Sequence, residues 1–314
     1  MFVTLLAVVV ALVLGHVAHA LAVAVRNYGW YGSWLRWLDG KFPDDGFWRG
    51  RWGIVLALLP PLFAVALFQI ALDNAVFGLP SLLFGVAALF YAWGPRDLDH
   101  DVDEIVEAPD PATRRTAVAR LWPQATRPLE VPRQPDDVHR DIDGATAVEA
   151  VFRNALRRWF GVLFWFLLLG PVGALLYRLS AMAALDDDAR LPSENASGAR
   201  MLLALLDWPV AQLMTLSMAL VGNFDIVAGA WKSAGGAGFA PDSDFLANAG
   251  RASVRSEIAD EAQDYVEAGI APASALAREL GPLPELRDAM SLVWRVLLVW
   301  LAVLALFVIA GWVS

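Results

Sequence analysis

Residues 53–93 decide the fold, because they hold two apolar blocks separated by only two polar residues. The block at 53–72 reads GIVLALLPPLFAVALFQIAL, and the block at 75–93 reads AVFGLPSLLFGVAALFYAW. Each block, as an α-helix, is long enough to cross about 30 Å of hydrocarbon. Asp73-Asn74 allows only a tight turn, so the two blocks are predicted to form an antiparallel helical hairpin in a membrane. Pro60-Pro61 predicts a kink in the first helix.

Further apolar blocks lie on both sides of this hairpin, at 1–25, 159–177 and 296–313. Residues 1–25 carry no charge and are predicted to span the membrane. A signal peptide is the competing interpretation, since Ala18-His19-Ala20 resembles a cleavage site. The predicted fold class is all-α: a polytopic helical membrane protein with four to five transmembrane helices and helical cytoplasmic segments.

The predicted organisation alternates membrane regions with polar segments. It consists of an N-terminal membrane region at 1–93 (helices 1–25, 53–72 and 75–93, with an interfacial segment at 26–52), a polar cytoplasmic segment at 94–158, a second membrane region at 159–222 (helix 159–177 and apolar segment 201–222), a polar helical segment at 223–290 and a C-terminal transmembrane helix at 291–314. In 26–52, Trp30, Trp34 and Trp37 have helical spacing. This favours a helix in the plane of the interface, and a loop bordered by aromatics is the alternative.

The amino-acid composition indicates the lipid bilayer as a partner and argues against several other classes of protein. Hydrophobic residues make up 58% of the 314 residues and charged residues 18%, whereas soluble domains have about 45–50% and about 25%. The net charge of -9, with scattered Arg residues, argues against nucleic-acid binding. The absence of Cys excludes disulfides and thiol nucleophiles. Many of the 14 Trp residues flank the apolar blocks, as in membrane-interface belts.

The distribution of Lys and Arg predicts the orientation. Basic residues are concentrated in 26–52, which holds four Arg and Lys41, and in 94–158, which holds ten Arg, and they are absent from the turn at 73–74. Because cytoplasmic loops carry an excess of basic residues, these segments are predicted to be cytoplasmic and the N-terminus to be outside. Arg287 and Arg295 favour a crossing by 201–222, whereas Asp207 and Pro209 within it favour an in-plane or re-entrant helix.

Neither a metal nor a cofactor is predicted. The acidic cluster could hold a divalent cation through carboxylate oxygens, but its spacing fits no defined metal loop and favours a solvated helix start; its members are Asp97, Asp99, His100, Asp101, Asp103, Glu104 and Glu107. The string Gly229-Ala230-Trp231-Lys232-Ser233 comes nearest to a phosphate-binding loop. Trp231 stands where that loop requires glycine, so nucleotide binding is not predicted.

Several motifs resemble the AmpE family. They are AVEAVFRN at 147–154, WFGVLFWF at 159–166, GPVGA at 170–174, Tyr177-Arg178, LDWPV at 206–210 and ALVG at 219–222. The resemblance implies a multi-pass protein of the cell inner membrane that modulates regulatory signalling. It further implies a role in β-lactamase induction and a partner or muropeptide-type ligand from cell-wall recycling.

A more distant resemblance is to CobD/CbiB, cobalamin-biosynthesis membrane proteins that join an aminopropanol group to a corrinoid carboxylate. That family has Glu-Asn followed by Asp three residues later. Here Asn154 is kept, but Arg153 and Arg157 stand at the acidic positions. Tyr177-Arg178 match the family's Tyr-Arg, and the polar residues that follow it there are replaced by 179–184, LSAMAA. Because Arg reverses the charge of a carboxylate, this pattern favours a shared scaffold without the catalytic activity. A membrane-bound amide-forming synthase of the CobD type is the alternative, and no catalytic residue is assigned.

The candidate ligand-binding residues are Arg153, Asn154, Arg157, Arg158, Tyr177, Arg178 and Asp207. The Arg residues among them predict a site for an anion, such as a phosphorylated ligand or a muropeptide carboxylate. Ordinary basic flanking of a membrane span is the alternative. Asp207 is expected either to pair with an Arg such as Arg158 or Arg178, or to snorkel to the interface as a helix cap.

Overall fold

The computed structural model of the chain describes residues 2–17, 25–26, 28–43, 46–72, 78–94, 97–121, 144–185, 191–238, 240–267, 269 and 283–310, with the side chains of all of these except 2–4 and 15–17. The first and last residues, the predicted turn at 73–74 and the Pro-rich stretch at 122–143 lie outside these ranges. So does the candidate cleavage site at 18–20.

The described residues form α-helices and contain no strand, which confirms the all-α fold class. The helices are α1 (Phe2–Val17), α2 (Gly29–Lys41), α3 (Gly53–Leu72), α4 (Leu79–Ala92), α5 (Leu98–Val106), α6 (Pro111–Ala119), α7 (Gly144–Ala155), α8 (Gly161–Leu169), α9 (Pro171–Leu185), α10 (Ser193–Val221), α11 (Phe224–Ser233), α12 (Asp244–Glu267) and α13 (Pro284–Ile309). A 3-10 turn at Phe47–Arg49 precedes α3, and a π-helical turn at Leu156–Phe160 joins α7 to α8.

Three described helices are long and apolar enough to cross a bilayer: α3 with 20 residues, α10 with 29 and α13 with 26. Shorter apolar helices accompany them at Leu5–Leu14, in α4 and in α9. A helix satisfies its own backbone hydrogen bonds, which lipid cannot do. The chain is therefore a helical membrane protein, while the count of four to five crossings remains a prediction.

The chain divides into two compact units. The first unit comprises residues 1–96, 157–210 and 301–314. Within it, α9 packs against α3, α4 and α8, and α1 packs along α4. Gly85 of α4 makes a close approach possible, since a Cβ atom there would lie 3.5 Å from the ring of Phe166 and 3.6 Å from Ala7.

The second unit comprises residues 97–156 and 211–300. Within it, α12 packs against α7 and α11, and α5 packs against α6 and α7. The ring of Phe152 lies directly on the backbone of Gly250, where a Cβ atom would come within 2.3 Å of it. Asp110 caps α6 by accepting hydrogen bonds from Ala112 N and Thr113 N at 2.9 Å. The hydrogen bonds from the side chain and backbone of Thr113 lower the pKa of the Asp110 carboxyl.

The helix predicted over 159–177 is not continuous, which corrects the sequence interpretation. It breaks at Gly170, where φ is +68° and ψ is −151°. Residues with a Cβ atom are excluded from this region of backbone space. Pro171 then starts α9, since the first position of a helix tolerates a residue that lacks an N–H. Gln69 of α3 bridges the break: its side-chain amide donates to Leu169 O at 3.4 Å and its oxygen accepts from Val172 N at 3.3 Å.

Other predicted boundaries shift by a few residues. The helix in 26–52 exists as α2, with Tyr31, Leu35 and Leu38 on its buried face, so the loop alternative for this stretch is wrong. The apolar segment 201–222 is the greater part of α10, which continues through Asp207 and Pro209. The last helix begins at Pro284, before the predicted limit of 291.

Candidate ligand site around Asp207

The structure places the seven predicted ligand-binding residues in two different units. Arg157, Arg158, Tyr177, Arg178 and Asp207 belong to the first unit, whereas Arg153 and Asn154 belong to the second. We call the first-unit group of Asp207, Tyr177, Arg157 and Arg178 the Asp207 cluster.

The centre of the Asp207 cluster is a buried carboxylate with two polar partners. Asp207, on α10, is 1% exposed and Tyr177, on α9, is fully buried. The hydroxyl of Tyr177 donates a hydrogen bond to Asp207 Oδ1 at 2.5 Å. Arg157 Nε lies 3.5 Å from Asp207 Oδ2, so its guanidinium forms an ion pair with the carboxylate. Asp207 therefore pairs with an arginine as the sequence suggested, but with Arg157. Its burial excludes the snorkelling alternative.

Local backbone features bring these side chains together. Arg157 projects from the π-helical turn, a type of irregularity that is frequent at functional sites. The ring of Tyr177 occupies the space beside Gly161, where a Cβ atom would come within 2.1 Å of Tyr177 Cζ. Glycine at this position is thus required for the tyrosine to reach Asp207. Trp165 donates a hydrogen bond from Nε1 to Leu206 O at 3.1 Å, which links α8 to the part of α10 that contains Asp207.

Arg178 has a different role from the one that the anion hypothesis gave it. It is 4% exposed, and it donates to the carbonyl oxygen of Ala92 at 2.6 Å. It also reaches the carbonyl oxygens of Arg157 and Arg158 at 3.4 and 3.5 Å. The last carbonyls of a helix have no partners within the helix. Arg178 thus supplies a hydrogen-bond donor to a carbonyl oxygen at the carboxyl end of α4. It also holds the π-helical turn from which Arg157 extends.

Two further residues at this helix end were missed by sequence reasoning. Arg26 donates to Phe90 O and Gly94 O, each at 3.1 Å, and the hydroxyl of Tyr28 donates to Tyr91 O. Burial raises the pKa of Tyr28 to about 12, so the hydroxyl keeps its proton for this hydrogen bond. The signal for Arg26 in the sequence is its position directly after an apolar block, where a basic residue also indicates orientation.

The two predicted residues of the second unit also have protein partners. Arg153 donates to Glu149 Oε1 at 2.8 Å and to Asp244 Oδ1 at 2.6 Å. Burial lowers the pKa of Arg153, but the bonds and charges of Glu149 and Asp244 outweigh it, so the net pKa is raised. Asn154 donates to Leu121 O and Ala150 O at 2.7 and 2.8 Å. An anionic ligand would have to compete with these partners.

The acidic stretch that starts α5 is engaged in structural contacts. Asp97 caps the helix by accepting from Asp99 N at 3.3 Å, and Asp99 accepts from Trp294 Nε1 at 3.2 Å. Glu104 pairs with Arg120 at 2.9 Å. Among the described residues, no group of three or more His, Asp or Glu side chains is arranged to hold a metal ion. The capping by Asp97 agrees with the helix start that the spacing favoured, but Asp101 is only 3% exposed, so the cluster is not solvated throughout.

Comparison with known proteins gives a distant relative and no family assignment. No family model matches the chain, and no solved structure matches it. The chain is 27% identical over 242 residues to the cobalamin biosynthesis protein CobD of Stutzerimonas stutzeri (strain A1501), and the match covers 72% of each chain. The fold defines the class as helical membrane proteins, and the chain is distantly similar to this CobD protein. The comparisons give no support to the AmpE resemblance.

Proposed function

We propose that this protein is a membrane-bound amide-forming synthase of the CobD type that acts in cobalamin biosynthesis. The observation that carries the proposal is the similarity to a CobD protein, which extends over 72% of both chains. The matching Tyr177-Arg178 motif supports it, because Tyr177 is one of the partners of Asp207. We further propose a multi-pass location in the inner membrane, with the basic segments on the cytoplasmic side.

We propose the Asp207 cluster as the ligand site of this reaction. The resemblance implies an amine substrate and a corrinoid carboxylate. A buried carboxylate can hold an ammonium group and then accept its proton as a general base. Asp207 would take this role, and Tyr177 would keep it oriented. Arg157 balances the negative charge until the amine binds, since an unpaired buried charge is costly.

A second candidate, an AmpE-like modulator of β-lactamase induction, is favoured by one observation. Arg153 and Arg157 occupy the positions where the CobD pattern has carboxylates, and both guanidinium groups form ion pairs within the protein. Arginines held in ion pairs stabilise the scaffold and do not act as acids or bases. Of the residues discussed, only Asp207 is then left for acid–base chemistry. In this case the Asp207 cluster would bind a muropeptide-type ligand, or the protein would contact a partner from cell-wall recycling, without catalysis.

Complementation distinguishes the two candidates. We expect the wild-type chain to restore cobalamin-dependent growth to a strain that lacks CobD. The variant Asp207→Asn should lose at least 100-fold in cobalamin yield, because general-base catalysis typically contributes that much. Asp225→Asn, which removes an exposed carboxylate in α11, is the matched control. The synthase proposal is wrong if the wild-type chain, present in the membrane, fails to restore growth; altered β-lactamase induction would then favour the regulator.

A further inference from the structure

A partly open groove lies in the first unit between the start of α3 and the first half of α10. Its volume is about 60 Å³, and its lining is formed by Arg51, Trp52, Ile54, Val55, Gly198, Met201, Leu202 and Leu205. Apart from Arg51, the side chains that line it are apolar or aromatic. Covering such an apolar lining with hydrocarbon is favourable, because it removes apolar surface from water.

The position of Arg51 beside this groove is fixed by its backbone. A Cβ atom on Gly198 would lie 1.7 Å from the carbonyl oxygen of Arg51, so the chain before α3 rests directly on α10. The side chain of Arg51 is exposed, and its NH2 group donates to the sulfur of Met201 at 2.9 Å. A thioether is a weak acceptor. Among the described residues, no carboxylate lies within ion-pairing distance of Arg51.

The groove lies at the beginning of a helix that is long enough to cross a bilayer. Arg51 and Trp52 directly precede α3, one of the helices long enough to cross the membrane. Trp52 is 64% exposed. Exposed Trp and Arg residues at the end of an apolar helix are typical of the interface between hydrocarbon and water. If α3 crosses the bilayer, the Arg51 end of the groove lies at headgroup level and the wall formed by α3 faces hydrocarbon.

We infer that this groove binds one anionic phospholipid, with an acyl chain along Val55, Leu202 and Leu205 and the phosphate against Arg51. Charge complementarity selects the headgroup, since Arg51 offers a guanidinium whose protein contact is a weak acceptor, and guanidinium groups bind phosphate well. The apolar lining selects the acyl chain. The inference does not depend on the proposed enzymatic function.

The test is lipid binding by the full-length protein in detergent, measured by native mass spectrometry with phosphatidylglycerol and phosphatidylcholine. We expect tighter binding of phosphatidylglycerol, and Arg51→Gln should weaken it about fivefold. The same change should weaken phosphatidylcholine less, because its choline group offsets the charge of the phosphate. Arg36→Gln removes an exposed positive charge of α2 that does not line the groove, and should have little effect. If both variants lost phosphatidylglycerol affinity equally, the lipid would be attracted by basic residues in general, and the proposed binding site would be wrong.

Leu205→Trp provides a second, independent test, because it fills the groove from an exposed position and keeps all charges. We expect it to weaken binding of phosphatidylglycerol at least as strongly as Arg51→Gln does. Undiminished binding to this variant would contradict the inference, as would equal affinity of the wild-type protein for both lipids. Displacement of lipid by dimer formation, visible in the same spectra, would assign the groove to a second copy of the chain instead.

Discussion

Asp207 shows how this chain keeps a carboxylate inside an apolar helix. Ionisable residues at membrane depth are costly and usually face the protein interior. The hydroxyl of Tyr177 and the guanidinium of Arg157 lower that cost from two sides. Hydrogen bonds to charged groups contribute more than neutral ones, about 1.5–3 kcal/mol each. The Asp207 cluster therefore contributes to stability in addition to any role in binding.

We expect Tyr177→Phe to destabilise the protein by about 2 kcal/mol, because it removes one hydrogen bond from a buried carboxylate and keeps the ring beside Gly161. Unfolding of the detergent-solubilised protein by added denaturing detergent measures the change. Tyr265→Phe, at the end of α12, is the control and should have almost no effect. If both variants unfold alike, the hydrogen bond between Tyr177 and Asp207 contributes nothing.

The break between α8 and α9 is the most specific feature at the scale of an element. Gly170 adopts a conformation closed to other residues, and Gln69 holds both sides of the break. The sequence contains the Gly170-Pro171 pair, yet the apolar block at 159–177 has the length of one membrane helix and therefore predicts a single helix. Hydropathy measures only the apolar length of a stretch, so it does not show where a helix inside that stretch ends.

Gly170→Ala should destabilise the protein by about 1–3 kcal/mol, since the residue must keep a positive φ. A Cβ atom would also lie 2.9 Å from Gln69 Nε2. Gly32→Ala in α2 is the matched control, because nothing lies within 4 Å of its Cβ position and alanine favours a helix. The same unfolding assay applies. A Gly170→Ala variant as stable as the wild type would mean that the break is not needed.

At the scale of the whole molecule, the sequence predicted the fold class well and the site only in part. Blocks of about 20 apolar residues indicate membrane helices without any knowledge of packing. Tyr177 and Asp207 were both singled out, but their contact depends on Gly161 and on the π-helical turn, which bring α8, α9 and α10 together. The roles of Arg26 and Arg178 at the end of α4 depend on contacts between residues more than 60 positions apart, which one sequence does not reveal.

The two sequence resemblances also differ in how far the comparisons support them. The short motifs favoured AmpE, whereas similarity over most of the chain is to a CobD protein. The sequence alone shows that Arg153 and Arg157 reverse the charge at two acidic positions of the CobD pattern, which argues against catalysis. It does not show which residues lie beside them in the fold. In the structure Arg157 contacts Asp207, so a carboxylate is still present beside that position.

The central claim is most directly tested by assaying the purified protein in lipid nanodiscs for amide formation. The substrates are an aminopropanol-type amine and a carboxylate-bearing corrinoid, with ATP present, and mass spectrometry follows the corrinoid product. The account predicts a product mass equal to the sum of the two substrates less one water, formed by the wild-type protein and lost in Asp207→Asn. Absence of this product with well-folded wild-type protein would contradict the account, as would equal formation by Asp207→Asn.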